Sequence, residues 1–250
     1  MTVKKNKWVK VFSKPAHSTM RLICFPFAGG SAQVFKDWAQ DLPSFVEVCA
    51  IQYPGRGSRF TEPMITDLNT MVDAIQPNLM SFLNKPFAFY GHSMGAGISF
   101  ALSASLQKQG IRPKHLFVSG RNAPHVNVDR EITHTLPDDE FRAKLSSMNG
   151  TPPEVLEHPE LMELMLPMLR GDFTLSETSV FDMDTRLACP MTALGGEKDE
   201  NVPLEGIEGW GKYTKSTFTS HMFPGDHFFL QQDTDMLLGH LNSYLKNDMR

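Results

Sequence analysis

Along this chain short apolar runs, most of them closed by glycine or proline, alternate with longer segments whose apolar residues recur every three to four positions. The runs predict strands over 21–26, 46–52, 86–90, 115–119, 191–194 and 217–223. The longer segments predict helices over 32–42, 67–83, 94–109 and 235–246. Strand and helix in alternation are the pattern of an α/β fold, a mainly parallel sheet flanked by helices. Residues 122–184 depart from this rhythm. Two or three amphipathic helical stretches follow one another there, punctuated by Gly150-Thr151-Pro152-Pro153 and by Pro167. No linker or composition shift divides the 250 residues, so they read as one domain, 1–250, with a helical insertion at about 122–184.

In such sheets chemistry gathers in the loops beyond the carboxyl ends of the strands, and the glycine-rich turns of this sequence fall at those ends. The sharpest is Gly91-His92-Ser93-Met94-Gly95, which follows the apolar run Phe87-Ala88-Phe89-Tyr90 and opens a helical segment. A strand–turn–helix context of this kind lifts a serine hydroxyl above the sheet. Side chains two places before and after that serine would strike neighbouring backbone, hence glycine at 91 and 95. Ser93 is therefore the candidate nucleophile. The helix starting at Met94 aims unbonded N–H groups and its positive end at the reaction centre, which suits an oxyanion. A second oxyanion donor is expected from the loop after the first of these strands. There Phe25-Pro26-Phe27-Ala28-Gly29-Gly30-Ser31 is small enough for close backbone approach, and Ala28 N–H is the candidate. A Gly-Gly turn before a helix also suits a bound phosphate, although the spacing matches neither a Walker loop nor a dinucleotide fingerprint.

A serine hydroxyl needs a base within hydrogen-bond reach, and in strand–turn–helix hydrolases the acid and then the histidine follow the serine along the chain. Of the nine histidines, His227 in Phe223-Pro224-Gly225-Asp226-His227-Phe228 has the loop position a base requires. His221 lies within a strand-like run, and His92 is held in the serine turn. Asp199, in the glycine turn Leu194-Gly195-Gly196-Glu197-Lys198-Asp199, is the preferred acid. Asp226, Asp182, Asp184 and Glu197 are alternatives, Asp226 being so close to His227 that it would have to bend back sharply. A metal site from His221, Asp226 and His227 lacks recognised ligand spacing, and no metal is expected.

Composition narrows the class. With 41% hydrophobic and 21% charged residues the chain can bury a sizeable core. A net charge of −4 supplies no basic face for nucleic acid or an anionic membrane. No stretch reaches the roughly 20 apolar residues of a membrane span. Lys4, Lys5, Lys7 and Lys10 resemble the start of an export signal, but no long apolar region follows. A solvated N-terminal arm and a cytoplasmic protein are expected. Cys24, Cys49 and Cys189 each sit in an apolar run and read as buried free thiols.

Taken together, the motifs resemble the type II thioesterases that accompany nonribosomal peptide and polyketide synthases, and the related medium-chain acyl thioesterases of fatty-acid synthesis. Beyond the serine turn and Gly225-Asp226-His227-Phe228-Phe229-Leu230, the resemblance is carried by Phe25-Pro26-Phe27-Ala28-Gly29-Gly30 and Tyr53-Pro54-Gly55-Arg56-Gly57-Ser58-Arg59. It continues through Leu136-Pro137-Asp138-Asp139-Glu140-Phe141, Gly150-Thr151-Pro152-Pro153 and Leu166-Pro167-Met168-Leu169-Arg170-Gly171-Asp172-Phe173. It implies an α/β-hydrolase fold whose insertion is a lid. It further implies hydrolysis of acyl or aminoacyl groups from the phosphopantetheine arm of an acyl or peptidyl carrier protein, by a monomer that needs no cofactor. Many members carry histidine where this chain has Phe27, a change that leaves backbone donation intact.

Phe27, Met148, Met165 and Met168 are candidate acyl contacts, methionine being able to fit several chain shapes. The same apolar stripe would equally pack on a core. Arg56 and Arg59 suit either a carrier-protein phosphate or a structural ion pair. A carboxylester hydrolase or acyltransferase with the same triad remains an alternative, as does a non-catalytic binding module.

Overall fold

Each apolar run expected to form a strand does so. The computed structural model describes residues 6–12, 17–126, 132–148, 150 and 158–247. Its strands are β1 (Val9–Val11), β2 (Met20–Phe25), β3 (Val46–Ile51), β4 (Phe87–His92), β5 (His115–Ser119), β6 (Met191–Gly196) and β7 (Phe218–Phe223). They form one sheet in the order β1-β3-β2-β4-β5-β6-β7, parallel except for β1.

β1 corrects one expectation. The N-terminal segment is not a solvated arm over its described part: Trp8 and Val9 are buried, and Val9 to Val11 pair antiparallel with Ile51 to Cys49. A three-residue edge strand is too short to show as a periodic pattern.

Successive strand residues face opposite sides of the sheet, and each side has its own core. Ile23, Phe25, Phe87 and Phe89 pack against α2 (Leu68–Leu79) and α3 (Met94–Gln107). Leu22, Cys24, Ala88 and Tyr90 pack on the other side against Phe35, Trp38 and α8 (Thr234–Asn247). Asp67 caps α2 by accepting the Thr70 N–H at 2.7 Å. The segment expected as one helix over 32–42 divides into a 3-10 turn, Ala32–Phe35, and a short α1, Trp38–Asp41. Phe35 and Trp38, three apart, both close edge-on over Tyr90, and this eclipsed spacing suits 3-10 winding.

The insertion contains α4 (Asp138–Ser147) and α5 (Pro159–Thr178). Thr151-Pro152-Pro153, part of the expected punctuation, lies outside the described residues. Phe141, Leu145, Met162, Leu166, Met168 and Leu169 form a separate small core there. Arg170 and Glu177 of α5 tie down the approach to α4. Arg170 donates to the His134 and Leu136 carbonyls at 2.6 and 2.8 Å, and Glu177 accepts the His134 N–H at 3.0 Å. After β6 come α6 (Leu204–Glu208) and a 3-10 turn, and after β7 a short α7 (Phe229–Gln232) leads into α8. α6 was not expected from the sequence, being too short for helical period to register.

Candidate active site

Strand register sets the stage. Phe25 pairs with Gly91, His92 with Ser119, and Gly196 with Phe223, so the carboxyl ends of β2, β4, β5, β6 and β7 align. Ala28, Ser93, Asp199 and His227 lie just beyond β2, β4, β6 and β7.

Ser93 joins β4 to α3 with φ 53° and ψ −113°, the single non-glycine with positive φ among the described residues. Such a conformation costs about 1–3 kcal/mol and persists only where the surroundings enforce it. They do so here through contacts that exclude any side chain. A Cβ on Gly91 would lie 2.3 Å from the Gly95 carbonyl oxygen, and one on Gly95 would lie 2.1 Å from that of Phe25. The Ser93 N–H is taken up by the Ser119 carbonyl at 2.8 Å, which pins the turn to β5. The serine itself is partly exposed.

His227 leaves the turn after β7 with Nδ1 2.5 Å from Asp199 Oδ2. The Asp199 carboxylate is almost wholly buried, and its other oxygen accepts the Asn201 N–H at 3.0 Å. The β6 and β7 loops touch backbone to backbone, since a Cβ on Gly196 would meet the Asp226 carbonyl at 2.3 Å. Asp226 caps its own turn, accepting the Phe228 N–H at 2.8 Å. Asp182 likewise accepts within its own turn, from Asp184 N–H at 3.0 Å, and Glu197 is exposed. Among these carboxylates it is Asp199 that the fold brings to the His227 ring.

Beneath them lies His92, fully buried, its ring centre 5.1 Å from that of His227. Its Nδ1 is 2.9 Å from the Ser119 hydroxyl, to which Tyr90 also donates at 3.1 Å. Burial drives the His92 pKa well down and the neighbouring His227 adds to this, while the His227 carbonyl works the other way. A neutral ring therefore supports the histidine loop from below.

In the loop after β2, Gly30 N–H donates to the Phe27 carbonyl at 2.9 Å and Gly29 N–H to Asp172 Oδ2 at 2.7 Å. The N–H groups of Ala28 and Met94 have no acceptor among the described residues. Phe27 is buried edge-on against His92 and Phe228, with centres 5.9 and 5.1 Å apart. Met168 lies inside the small core of the insertion, Met165 half-buried at its margin, and Met148 half-buried at the end of α4.

Arg56 and Arg59 are both buried and engaged in structural pairs. Arg56 grips Asp172 through two nitrogens, Nη2 to Oδ1 at 2.6 Å. Arg59 lies 3.8 Å over the Trp8 ring and donates to Glu62 at 2.7 Å. Hydrogen bonds from Arg59 and then Lys7 draw the Glu62 pKa down to about 2. Asp172, like Arg121 beside the serine turn, was not singled out by sequence reasoning. Apart from its place in the 166–173 segment that carries the resemblance, its local signal is a charge at a helical spacing otherwise filled by Leu169 and Leu175.

A parallel sheet in this order, with a strained serine between β4 and α3, is the α/β-hydrolase architecture. Comparison with known proteins makes the class specific. The thioesterase domain model matches residues 20–245, and the chain belongs to that family: it is a hydrolase of thioesters. It is 42% identical over 228 residues to the gramicidin S biosynthesis protein GrsT of Aneurinibacillus migulanus, covering 91% of this chain and 89% of that one. It is 41% identical over 249 residues to the linear gramicidin dehydrogenase LgrE of Brevibacillus parabrevis, covering 98% and 95%. Among solved structures it is similar to the type II thioesterase BorB from the borrelidin biosynthetic cluster, with TM-score 0.86, 32% identity and 98% of each chain covered.

Proposed function

We propose that this chain is an editing, type II thioesterase that removes acyl or aminoacyl groups from the phosphopantetheine arm of carrier proteins in a nonribosomal peptide or polyketide synthase. The observation that carries the mechanism is the 2.5 Å contact of His227 Nδ1 with buried Asp199, beside a serine held in a strained turn. That contact fixes the ring tautomer and leaves Nε2 as the basic nitrogen.

In this reading Ser93 Oγ attacks the thioester carbonyl while His227 takes its proton. The N–H groups of Ala28 and Met94 receive the oxyanion. Collapse breaks the C–S bond, and the pantetheine thiol leaves with the proton from His227. Water, activated by the same ring, then attacks the Ser93 acyl ester, and the acid leaves as serine recovers its proton. A thioester suits this machinery because its thiolate departs readily. The residues at about 122–184 act as a lid, and Phe27, Met148, Met165 and Met168 line the acyl path. Similar proteins support the setting: BorB is a type II thioesterase from the borrelidin biosynthetic cluster, and YbtT is a type II thioesterase from the yersiniabactin biosynthetic pathway. We further propose a cytoplasmic monomer. No helix among the described residues is long and apolar enough to cross a membrane, and the net charge of −4 argues against nucleic acid.

The deciding experiment compares turnover of one acyl group on a phosphopantetheinylated carrier protein, on coenzyme A and on a simple oxygen ester. The carrier thioester should have the highest kcat/KM. A preference for the oxygen ester would overturn the reading.

A further inference from the structure

The second half of α5 is fastened to both walls of the catalytic site. Leu169, Asp172 and Ser176 share one face, at spacings of three and four. Leu169 covers Gly29 so closely that a Cβ there would lie 2.7 Å from Leu169 Cδ2. Asp172, fully buried, accepts the Gly29 N–H at 2.7 Å while Arg56 holds both of its oxygens. Arg56 also donates to the Pro54 carbonyl at 3.2 Å and to that of Gly30 at 3.4 Å. Ser176 is met by Arg121, whose Nη1 donates to its hydroxyl at 3.0 Å and whose Nη2 donates to its carbonyl at 3.1 Å. The same Arg121 Nη1 reaches the carbonyl of Ser93 at 3.5 Å.

These contacts determine which amides the loop offers. Gly30 N–H holds the Phe27 carbonyl at 2.9 Å and so fixes the plane of the peptide joining Phe27 to Ala28. In a trans peptide N–H and C=O point opposite ways, so Ala28 N–H is turned away from the Gly30 side. Gly29 N–H, the next donor, is consumed by Asp172. Between these two committed donors and the Phe27 carbonyl, Ala28 N–H is left without an acceptor among the described residues. A carboxylate is the acceptor that holds a backbone N–H most firmly in a dry site, and burying that charge requires Arg56 beside it.

We infer that Asp172 is a positioning residue: held by Arg56, it lets α5 set the aim of the Ala28 N–H at the oxyanion. The inference rests on the serine mechanism proposed above. Within the insertion proposed as a lid, it makes the α5 segment from Leu169 to Ser176 a fixed part of the site wall.

The test uses Arg56→Met/Asp172→Leu, which removes both charges together and leaves Gly29 N–H without its acceptor, beside Asp172→Asn. For the folded double variant kcat should fall about 10- to 100-fold while KM stays within about twofold, and Asp172→Asn, which keeps an oxygen for the Gly29 N–H, should lose less. Affinity for an alkyl boronate, which forms a tetrahedral adduct on serine, should fall by the same factor as kcat. Leu79→Ala, a remote core truncation in α2, should lower Tm yet leave kcat and boronate affinity unchanged. A folded Arg56→Met/Asp172→Leu variant with wild-type kcat and boronate affinity would overturn the inference. Should these variants fail to fold, NMR of the wild-type protein decides. The Gly29 amide should be protected from exchange and the Ala28 amide should shift on boronate binding; the reverse pattern overturns the proposal. Ser93→Ala separates the two levels. If it stays active the serine mechanism itself fails, whereas an inactive Ser93→Ala beside an unaffected Arg56→Met/Asp172→Leu variant removes only the positioning role.

Discussion

His92 and His227 lie ring beside ring, 5.1 Å between centres, one resting on the Ser119 hydroxyl and the other on the Asp199 carboxylate. The buried ring titrates far from the range of an ordinary histidine, because burial and then the charge of its neighbour disfavour its protonated form, against a lesser opposing pull from the His227 carbonyl. A charged His92 would also face the His227 ring directly.

This depression sets a pH dependence of stability. Below the ordinary histidine value of 6.5, the unfolded chain binds a proton at His92 that the folded chain refuses. Stability from this residue is thus fully present above that pH and is lost as pH falls through it, at about 1.4 kcal/mol per pH unit until the folded ring protonates. Urea unfolding at a series of pH values between about 5 and 7 should show a shallower slope for His92→Asn than for the wild type. Parallel slopes would show that His92 does not titrate on unfolding.

The two glycines flanking the serine turn are steric requirements. Gly95→Ala would place a methyl 2.1 Å from the Phe25 carbonyl oxygen, and since that oxygen belongs to a central strand, the elbow must move. A loss of about 3 kcal/mol or more is expected, together with a fall in kcat as the Ala28 loop and the elbow separate. Gly239→Ala supplies the contrast. It lies exposed inside α8 with open space around its Cβ position, and alanine there should raise stability by about 0.5–1 kcal/mol. Denaturant midpoints for the two variants should therefore move in opposite directions.

The choice of acid can be tested within two neighbouring loops. Asp199→Asn disturbs the tautomer of His227 and should lower kcat on the order of 10³-fold or more without unfolding the protein. Asp226→Asn retains an oxygen for the Phe228 N–H and should change kcat by less than about threefold. Steady-state kinetics with equal Tm values would check both. A severe loss in the Asp226 variant beside an active Asp199 variant would reverse the assignment.

Much of this site was legible because its parts are local. The 91–95 turn carries its strand, its glycines and its helix within a few residues, and His115–Ser119 appears at the bounds its apolar run marks. Asp199 and His227 could be ranked because each follows the end of a strand, although only the fold shows Asp226 accepting the Phe228 N–H while Asp199 meets the His227 ring. What stayed hidden depends on contacts between distant residues. Asp172 meets Gly29 across 143 residues and Arg56 across 116, so Arg56 read equally well as a docking residue. β1 and α6 were missed for a simpler reason, being shorter than the period that would reveal them.

The most direct test of the account is to trap the intermediate. Wild-type protein mixed briefly with an acyl-pantetheine thioester, quenched in acid and digested, should carry the acyl mass on the peptide containing Ser93, and Ser93→Ala should show neither adduct nor turnover. An adduct on a different residue, or undiminished thioester hydrolysis by Ser93→Ala, would contradict it.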